Sequence, residues 1–262
     1  MFRRFANFFR GIPGSLGVIL SNFPAVRAIT CLCVAAFLVQ CAASLFVVRS
    51  GGAAVPLDCV LSAYLGLNWP LFSHGCVWQP VTYAFLHGSL LHIFLNLFTL
   101  IFFGYSVEEL LGSRRFWLIF LVSAAIGGIG WMAFDIVEPR FWQTLARTGP
   151  LGLRLAQRWG EAQGAWLPYN VCVGASGGVF GLVGAFAALC PRRRISLLLF
   201  YVIPVTLEAR QMALLLAAFN LFELVTSLGH VAYVAHLLGG LAGYLLARHY
   251  ARTRRCWRQY YA

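Results

Sequence analysis

The sequence predicts an all-α polytopic membrane protein with six transmembrane helices and both termini in the cytoplasm. Composition, six long apolar runs and the distribution of arginine support this prediction. Of the 262 residues, 60% are hydrophobic and only 11% are charged, whereas a soluble domain carries about 25% charged residues. The chain therefore has too few polar side chains to cover a globule in water. This excludes a soluble protein, a disordered chain and a disulfide-rich miniprotein.

A run of about twenty apolar residues is long enough to cross the hydrocarbon core of a bilayer. Six runs of this kind occur, and only the fifth contains a formal charge, Glu223. The six predicted spans are Ala28–Val48, Gly88–Ser106, Phe116–Phe134, Val171–Cys190, Gln211–Leu228 and Val231–Ala247. A seventh apolar stretch, Ile195–Leu207, is too short to cross and contains Pro204. Arginines flank it on both sides, so we expect it to lie along one face of the membrane.

The orientation follows from the basic residues, all of which are arginine. Arginine is enriched in cytoplasmic segments of membrane proteins. With the N-terminus inside, the outer segments hold only Arg49, Arg140, Arg147, Arg154 and Arg158, and the inner segments hold all the others. The net charge of +12 is therefore interpreted as a topology signal and an attraction to anionic lipid, not to nucleic acid.

Three parts are expected along the chain. Residues 1–27 form a basic cytoplasmic or interfacial lead-in, residues 28–250 the membrane domain and residues 251–262 a basic cytoplasmic tail. Pro13 and Pro24 interrupt any apolar signal-peptide core, so we expect the lead-in to be retained.

Two of the outer connections are long. In the first, Leu57–Phe72 is apolar but irregular, and we expect it to dip into the outer leaflet. Cys59 and Cys76 lie in the same connection, so a disulfide between them is one alternative to two free thiols. The second connection, residues 135–170, has mixed charge and is expected to form an amphipathic cap.

Polar side chains inside a membrane span are costly and are therefore candidates for function. At about 1.5 Å per residue, Ser176, His236 and His92 each lie roughly 8 Å below the outer surface, and Asn96 lies one turn deeper. Three helices are thus expected to bring a hydroxyl, two imidazoles and an amide to one level.

The glycines around Ser176 sharpen this expectation. Gly174 and Gly177 flank it closely, which leaves the hydroxyl unshielded and lets neighbouring backbones approach. A neutral serine is a weak nucleophile that needs a positioned base, and His236 lies on a glycine-containing helix that can pack closely enough to supply one. The developing oxyanion then needs preorganised donors.

His92 and Asn96 are four residues apart and share a helix face, so they could supply these donors. Each residue alone has a simpler explanation. A serine in a membrane helix often bonds the carbonyl four residues earlier, and a glycine pair often only packs helices. His92 and Asn96 could instead form an interhelical clamp. Their joint placement at one depth favours an active site.

Two other protease classes are excluded. A membrane aspartyl protease needs two intramembrane aspartates, but Asp58 and Asp135 are the only ones and both fall in connections. A zinc protease of the His-Glu-x-x-His type is excluded because that motif is absent. His87 and His92 are five apart with no carboxylate beside them, so no metal is expected.

Three motifs, which follow one another along the chain in the family's order, resemble those of the rhomboid family of intramembrane serine proteases. They are Gly174-Ala175-Ser176-Gly177, Ala235-His236-Leu237-Leu238-Gly239 and the pair His92 and Asn96 in a His-x-x-x-Asn pattern. Two further segments, Trp78–Tyr83 and Glu108–Ser113, look like family segments. The resemblance covers about residues 28–250 and implies a six-helix rhomboid-like bundle.

The resemblance implies a role for each matching residue. Ser176 would be the nucleophile and His236 its general base, a dyad without a third acid. His92, Asn96 and the backbone amide of Ser176 would form the oxyanion hole. Phe180 would pack on the catalytic imidazole.

Other positions would have supporting roles. His87 would have an auxiliary role near the mouth of the site, with Gly174 and Gly177 as auxiliary motif residues. The fifth helix would be a mobile lateral gate. For Glu223, on that helix, we expect a structural role, capping or bonding a neighbouring helix, in preference to a third catalytic acid.

The function expected from the sequence is therefore cleavage of transmembrane-helix substrates by an intramembrane serine endopeptidase of the cell (inner) membrane. Its expected partners are single-span membrane protein substrates and the lipid bilayer, with no cofactor and no nucleic acid. Two alternatives stay open. One is a catalytically silent scaffold or quality-control binding protein on the same fold. The other is a small transporter with a path lined by Asn96, Asn220, Glu223 and His236.

Overall fold

The computed structural model describes residues 21–50, 53–150, 154, 171–199, 203–226 and 232–253. Most of the predicted lead-in, most of the predicted tail and the later part of the predicted amphipathic cap lie outside the described residues. What is described is mostly helical, with two short β-hairpins.

In the described part of the chain, six helices of 14 residues or more overlap the six predicted spans, one helix for each span. They are α1 (Pro24–Ala43), α5 (Leu90–Leu111), α6 (Ser113–Ala146), α7 (Ser176–Leu189), α8 (Ala209–Thr226) and α9 (Tyr233–Thr253). Among the described helices, α1, α5 and the Ser113–Val137 part of α6 are long and apolar enough to cross a membrane. Helix α7 is apolar but has only 14 residues.

The end of the first predicted span is wrong. Helix α1 ends at Ala43, and the chain then forms a hairpin of strands β1 (Val47–Ser50) and β2 (Ala53–Pro56). The β-branched Val47 and Val48 favour extended backbone, which an apolar-run count does not distinguish from helix.

The seventh apolar stretch is also a hairpin, so the expectation of an all-α chain needs correction at two places. Strand β3 (Arg194–Leu199) pairs antiparallel with β4 (Ile203–Glu208). Ile195 lies opposite Leu207, and Ser196 lies opposite Thr206 with their hydroxyls 3.0 Å apart. The hairpin pairs the facing backbone donors and acceptors of a segment too short to span, while the outer edges of both strands stay open.

The helix of the fourth predicted span begins five residues later than predicted. Residues 171–175 are not helical, and Cys172 forms an isolated antiparallel bridge with Leu67. Gly174 has φ +134°, a conformation that a residue with a Cβ rarely adopts. Helix α7 therefore starts at Ser176, and the depth expected from helical rise does not apply to the segment before it.

Both long connections contain helix in the residues that the structure describes. The Leu57–Phe72 stretch contains the short helices α2 (Leu57–Leu65) and α3 (Trp69–Ser73) and is followed by α4 (Gln79–Thr82). The start of the predicted cap is the end of α6, which continues to Ala146. Cys59 and Cys76 are both free thiols.

Gln79 holds the first connection together. Its side chain is fully buried, its Oε1 accepts the backbone N–H of Asn68 at 3.1 Å, and its Nε2 donates to the Ala63 carbonyl at 3.1 Å. The Thr82 hydroxyl donates to the Leu65 carbonyl at 2.6 Å. These bonds explain why polar residues occur in the Trp78–Tyr83 segment.

Glu108 anchors the start of α1. Its two carboxylate oxygens each accept a backbone N–H, from Ala25 and Val26, at 2.9 Å. The Ser113 hydroxyl donates to the same carboxylate at 2.7 Å. A helix N-terminus has unsatisfied N–H groups, and a buried carboxylate is a strong acceptor for them. The Glu108–Ser113 segment therefore has a structural role.

Helix α7 lies at the centre of the bundle and packs against α9 through glycine. A Cβ on Gly239 would collide with the carbonyl oxygen of Gly177, and a Cβ on Gly243 with the carbonyl oxygen of Gly181. Both contacts advance in the same direction along the two helices, so α7 and α9 run parallel. Their N-terminal ends are therefore at the same end of the bundle.

Candidate active site

Ser176 is the first residue of α7, whose first turn leaves backbone amide groups outside the helical ladder. The first backbone bond of this helix runs from the Val179 N–H to the Ala175 carbonyl at 2.9 Å, and among the described residues no side chain caps the helix start. The N–H groups of Ser176, Gly177 and Gly178 therefore precede the intrahelical ladder. Such a helix start carries partial positive charge and binds anions.

The segment before Ser176 is tied to α6 through Tyr83. The Gly174 N–H donates to the Tyr83 carbonyl at 2.9 Å, and the Tyr83 hydroxyl donates to the Ala124 carbonyl at 2.7 Å. Tyr83 is almost completely buried. This residue fixes the approach of the chain to Ser176, which sequence reasoning noted only as part of a family segment.

His92 faces the same point as the Ser176 hydroxyl. A Cβ on Gly174 would lie 2.8 Å from Nε2 of His92 and 3.7 Å from Oγ of Ser176. Glycine is thus required at position 174 by both its backbone conformation and the imidazole beside it. Ser89 accepts the His92 N–H at 3.1 Å and caps α5, which fixes where His92 lies.

Asn96 lies one turn further along α5 and is buried. Its Nδ2 donates to the His92 carbonyl at 2.9 Å. One of its two amide hydrogens is thus used within the helix, which leaves the second as a further donor.

His87 precedes α5 and is buried beside His92. The two ring centroids are 5.3 Å apart. The backbone N–H of His87 donates to Oε1 of Gln40 at 3.0 Å. Within the described residues, neither ring nitrogen of His87 has a hydrogen-bond partner. Burial and, secondarily, the neighbouring His92 lower the pKa of His87 to about 4, so it is neutral at neutral pH.

Two contacts hold the imidazole of His236, one on a face of the ring and one at a ring nitrogen. Its imidazole stacks on the ring of Phe180, with centroids 4.2 Å apart and 4° between the planes. Its Nδ1 lies 2.8 Å from Oδ1 of Asn220 on α8. Phe180 is one turn after Ser176 on α7, so this stack lies on the helix that carries the serine.

A second bond joins α8 and α9 one turn away. The Tyr233 hydroxyl donates to Oε2 of Glu223 at 3.2 Å. Glu223 thus bonds a neighbouring helix, as expected for it.

The structure brings the N-terminal ends of α5, α7 and α9 to one end of the bundle. His92 meets Ser176 across Gly174, and His236 meets the Ser176 helix at Phe180. In the part of the chain that the structure describes, no direct hydrogen bond joins the Ser176 hydroxyl to His236. Such bonds are often long before substrate binds.

Asn220 is the site residue that sequence reasoning missed, since it was considered only as part of a transporter path. The available signal was an amide in the apolar middle of α8, sixteen residues before His236. Helical periodicity does not connect residues on two different helices, so this pairing was not predictable from spacing.

Comparisons with known proteins agree with the motifs. The profile of the Rhomboid domain matches residues 74–253. Rhomboid protein 1, mitochondrial, from Saccharomyces cerevisiae is 30% identical over 162 residues, which cover 62% of this chain and 38% of the yeast protein. The Bacillus subtilis protein named "Putative rhomboid protease YdcA" is 28% identical over 67% of this chain and 68% of its own length.

Not every relative is named as a protease. The Inactive RHOMBOID-like protein 8 of Arabidopsis thaliana is 31% identical over 92 residues, which cover 35% of this chain and 26% of that protein. The chain spans 38% and 33% of two of the curated relatives, the yeast protein and a Toxoplasma gondii protein, so the match concerns a shared domain and not their whole length.

Proposed function

The chain belongs to the rhomboid family, whose domain covers residues 74–253, and from this premise we propose that it is an intramembrane serine endopeptidase. The observation that carries the proposal is the position of Ser176. Its hydroxyl stands at the start of α7, beside the amide groups that precede the helical ladder and opposite His92 across Gly174. A nucleophile and oxyanion donors at one point are what acyl transfer requires.

The first chemical step would be attack of Ser176 Oγ on the carbonyl carbon of a substrate peptide bond. Nε2 of His236 takes the serine proton as the C–O bond forms. The carbonyl oxygen becomes an oxyanion that accepts hydrogen bonds from the Ser176 amide, His92 and Asn96. The imidazolium then returns its proton to the leaving amine as the C–N bond breaks, which leaves an acyl-enzyme.

The second step would be hydrolysis of that acyl-enzyme. His236 removes a proton from water, the hydroxide adds to the acyl carbon, and Ser176 leaves with the proton that His236 carries. Water has to reach the site for this step. The polar ends of α5, α7 and α9 would line the path, because buried polar groups in a membrane need partners.

Substrate would enter from the lipid between α5 and α8. Both helices expose large apolar side chains, including Phe94 and Phe98 on α5 and Phe219 and Phe222 on α8. Such surfaces suit contact with lipid tails or an apolar substrate helix. In this proposal α8 acts as the lateral gate and single-span membrane proteins with small residues near the cleaved bond are the substrates.

The proposed topology has six spans, both termini in the cytoplasm and the site near the outer face of the cell membrane. Six long helices and the excess of arginine in the inner segments support it. Residues 28–250 would form the membrane domain, with residues 1–27 and 251–262 as its basic flanks.

The test is cleavage of a single-span substrate in proteoliposomes. We expect wild-type protein to cleave it and Ser176→Ala and His236→Ala each to abolish cleavage. Ser44→Ala and His249→Ala are the matched controls, because both side chains are exposed. Ser44 follows the end of α1, and His249 lies near the C-terminal end of α9, more than three turns after His236. Cleavage that survives Ser176→Ala would contradict the assignment of the nucleophile.

The second candidate is a rhomboid-like scaffold without catalytic activity, and the relative named as inactive favours considering it. Labelling with a fluorophosphonate, which reacts with activated serines, separates the two candidates without a known substrate. Labelling of wild type but not of Ser176→Ala supports the protease. Absence of labelling and of cleavage in a folded wild-type protein favours the scaffold.

A further inference from the structure

The hydrogen bond between His236 and Asn220 joins the proposed base to a different helix. Nδ1 of His236, on α9, lies 2.8 Å from Oδ1 of Asn220, on α8. Asn220 is 2% exposed and His236 is 8% exposed. A hydrogen bond this well buried does not compete with bulk water and therefore restricts the ring strongly.

The direction of the bond follows from the other end of the amide. Nδ2 of Asn220 donates to the Leu216 carbonyl at 2.8 Å. If the Asn220 amide were rotated by 180°, its Oδ1 would face the Leu216 carbonyl oxygen, and two acceptors would repel each other. Oδ1 therefore faces His236, and because Oδ1 only accepts, Nδ1 of His236 must carry the proton.

A neutral imidazole with its proton on Nδ1 has its lone pair on Nε2. General base catalysis needs the lone pair on the nitrogen that faces the nucleophile. We propose that Asn220 is a positioning residue, which holds His236 in the tautomer and ring orientation that free Nε2 to act on Ser176. The inference rests on the proposed function and deepens it by adding a third group to the dyad.

The third group is an amide and not an acid, which suits its surroundings. Asn220 is almost fully buried, and burying a charged carboxylate costs more desolvation free energy than burying a neutral amide. An amide fixes the tautomer without adding charge. Phe180 supports the same ring from its face, so His236 is held in two directions, by α7 and by α8.

The decisive measurement is the tautomer of His236 itself. Nitrogen-15 NMR of histidine-labelled protein in detergent reports which ring nitrogen carries the proton, with His236→Gln used to assign the signal. We expect the proton on Nδ1 in wild type and a loss of this preference in Asn220→Leu. A proton on Nε2 in wild type overturns the proposal, whatever the variants do.

The kinetic test uses a fluorogenic single-span substrate. Asn220→Leu removes the acceptor and should lower kcat about 10- to 100-fold, the range that is typical when a metal-bound histidine loses its orienting partner, with KM nearly unchanged. Asn220→Asp keeps an oxygen at the same place and should recover part of kcat. An unchanged kcat in Asn220→Leu, or a fall in which KM rises equally, overturns the proposal.

Tyr233→Phe is the structural control. It removes the bond to Glu223 between the same two helices and leaves Nδ1 of His236 in place. We expect Tyr233→Phe to lower the thermal midpoint about as much as Asn220→Leu does. Its kcat should stay within about 2-fold of wild type, a smaller change than the free energy of one neutral hydrogen bond would cause. An equal loss of kcat in Tyr233→Phe would mean that Asn220 acts through helix packing alone, which also overturns the proposal.

The two proposals fail in different ways. If wild type shows no Ser176-dependent cleavage or labelling, the proposed function fails, and Asn220 cannot then be positioning a catalytic base. If wild type is active and Asn220→Leu matches it in kcat, only the role of Asn220 fails.

Discussion

The ring of Phe180 lies parallel to the imidazole of His236, with the ring centroids 4.2 Å apart. Phe180 follows Ser176 by one helical turn, so the stack links the histidine to the helix that carries the serine. A phenyl ring offers a face but no hydrogen bond. It therefore restrains the tilt of the imidazole without competing for either ring nitrogen.

The first prediction concerns this stack. Replacing Phe180 with Ala removes a contact worth about 0.5–1.5 kcal/mol, so kcat should fall about 2- to 10-fold. Phe180→Trp keeps an aromatic face and should retain more activity than Phe180→Ala. The measurement is the cleavage rate at saturating substrate, and equal rates for wild type and Phe180→Ala would remove the stack from the mechanism.

The second prediction concerns two glycines three residues apart on α9. A Cβ on Gly243 would collide with the carbonyl of Gly181, whereas a Cβ on Gly240 would meet its nearest atom, the Phe180 carbonyl oxygen, at 3.6 Å. Gly243→Ala should therefore push α7 and α9 apart and lower the thermal midpoint by several degrees.

Gly240→Ala is the matched control. In a helix interior alanine is favoured over glycine by about 1 kcal/mol, and ordinary contact at position 240 leaves room for the methyl group. We expect its thermal midpoint to equal or exceed that of wild type. Equal destabilisation by both variants would show that the α7–α9 contact is not the limiting one.

The third prediction concerns Glu108 and its neighbour. Glu108→Ala removes the acceptor of two hydrogen bonds at the start of α1 and of one from Ser113 at the start of α6. It should destabilise the fold by about 3 kcal/mol, because hydrogen bonds to charged groups contribute about 1.5–3 kcal/mol each and water would replace part of them. Glu109 is exposed, so Glu109→Ala should change stability little. Denaturant unfolding in mixed micelles measures both, and a similar loss for the two variants would contradict the anchoring role.

The fourth prediction concerns His87 and pH. Its pKa is about 4 in the folded chain and 6.5 in an exposed histidine. Below pH 6.5 the unfolded chain therefore binds a proton that the folded chain resists, and stability falls as the pH decreases from 6.5 towards 4. The contribution of His87 is fully present above pH 6.5.

His87→Gln should weaken this pH dependence, because glutamine does not titrate. The measurement is the thermal midpoint in detergent at pH 7.5 and pH 5 for wild type and variant. His249→Gln, at an exposed position on α9, serves as control and should keep the wild-type dependence. A His87→Gln protein as sensitive to acid as wild type would show that another group governs it.

Much of the fold was predictable because apolar runs of membrane length are a strong signal. Each of the six predicted runs overlaps one helix of the described residues, and the family model that matches the chain is the family that the motifs indicated. The helix ends were not predictable in the same way. The end of α1 at Ala43 and the start of α7 at Ser176 depend on a hairpin and on the backbone of Gly174, and neither changes the hydropathy.

For the candidate site, the sequence indicated the polar groups but not how they are held. Ser176, His92 and His236 stand out as polar residues in apolar runs. Asn220 and Tyr83 act on the site from other elements, through an amide oxygen and a backbone carbonyl. Those contacts depend on how helices pack, and a single sequence does not give that packing.

Helix α7 has 14 residues, which span about 21 Å at 1.5 Å per residue, while the hydrocarbon core of a bilayer is about 30 Å thick. A lipid-facing helix this short would suffer hydrophobic mismatch and would thin the bilayer around it. The side chains of α7 are almost all buried among the other helices. Its length therefore has to fit the surrounding helices and not the thickness of the hydrocarbon core. The depth of Ser176 is therefore set inside the bundle, and lipids of different chain length should act on the outer helices before they alter the serine.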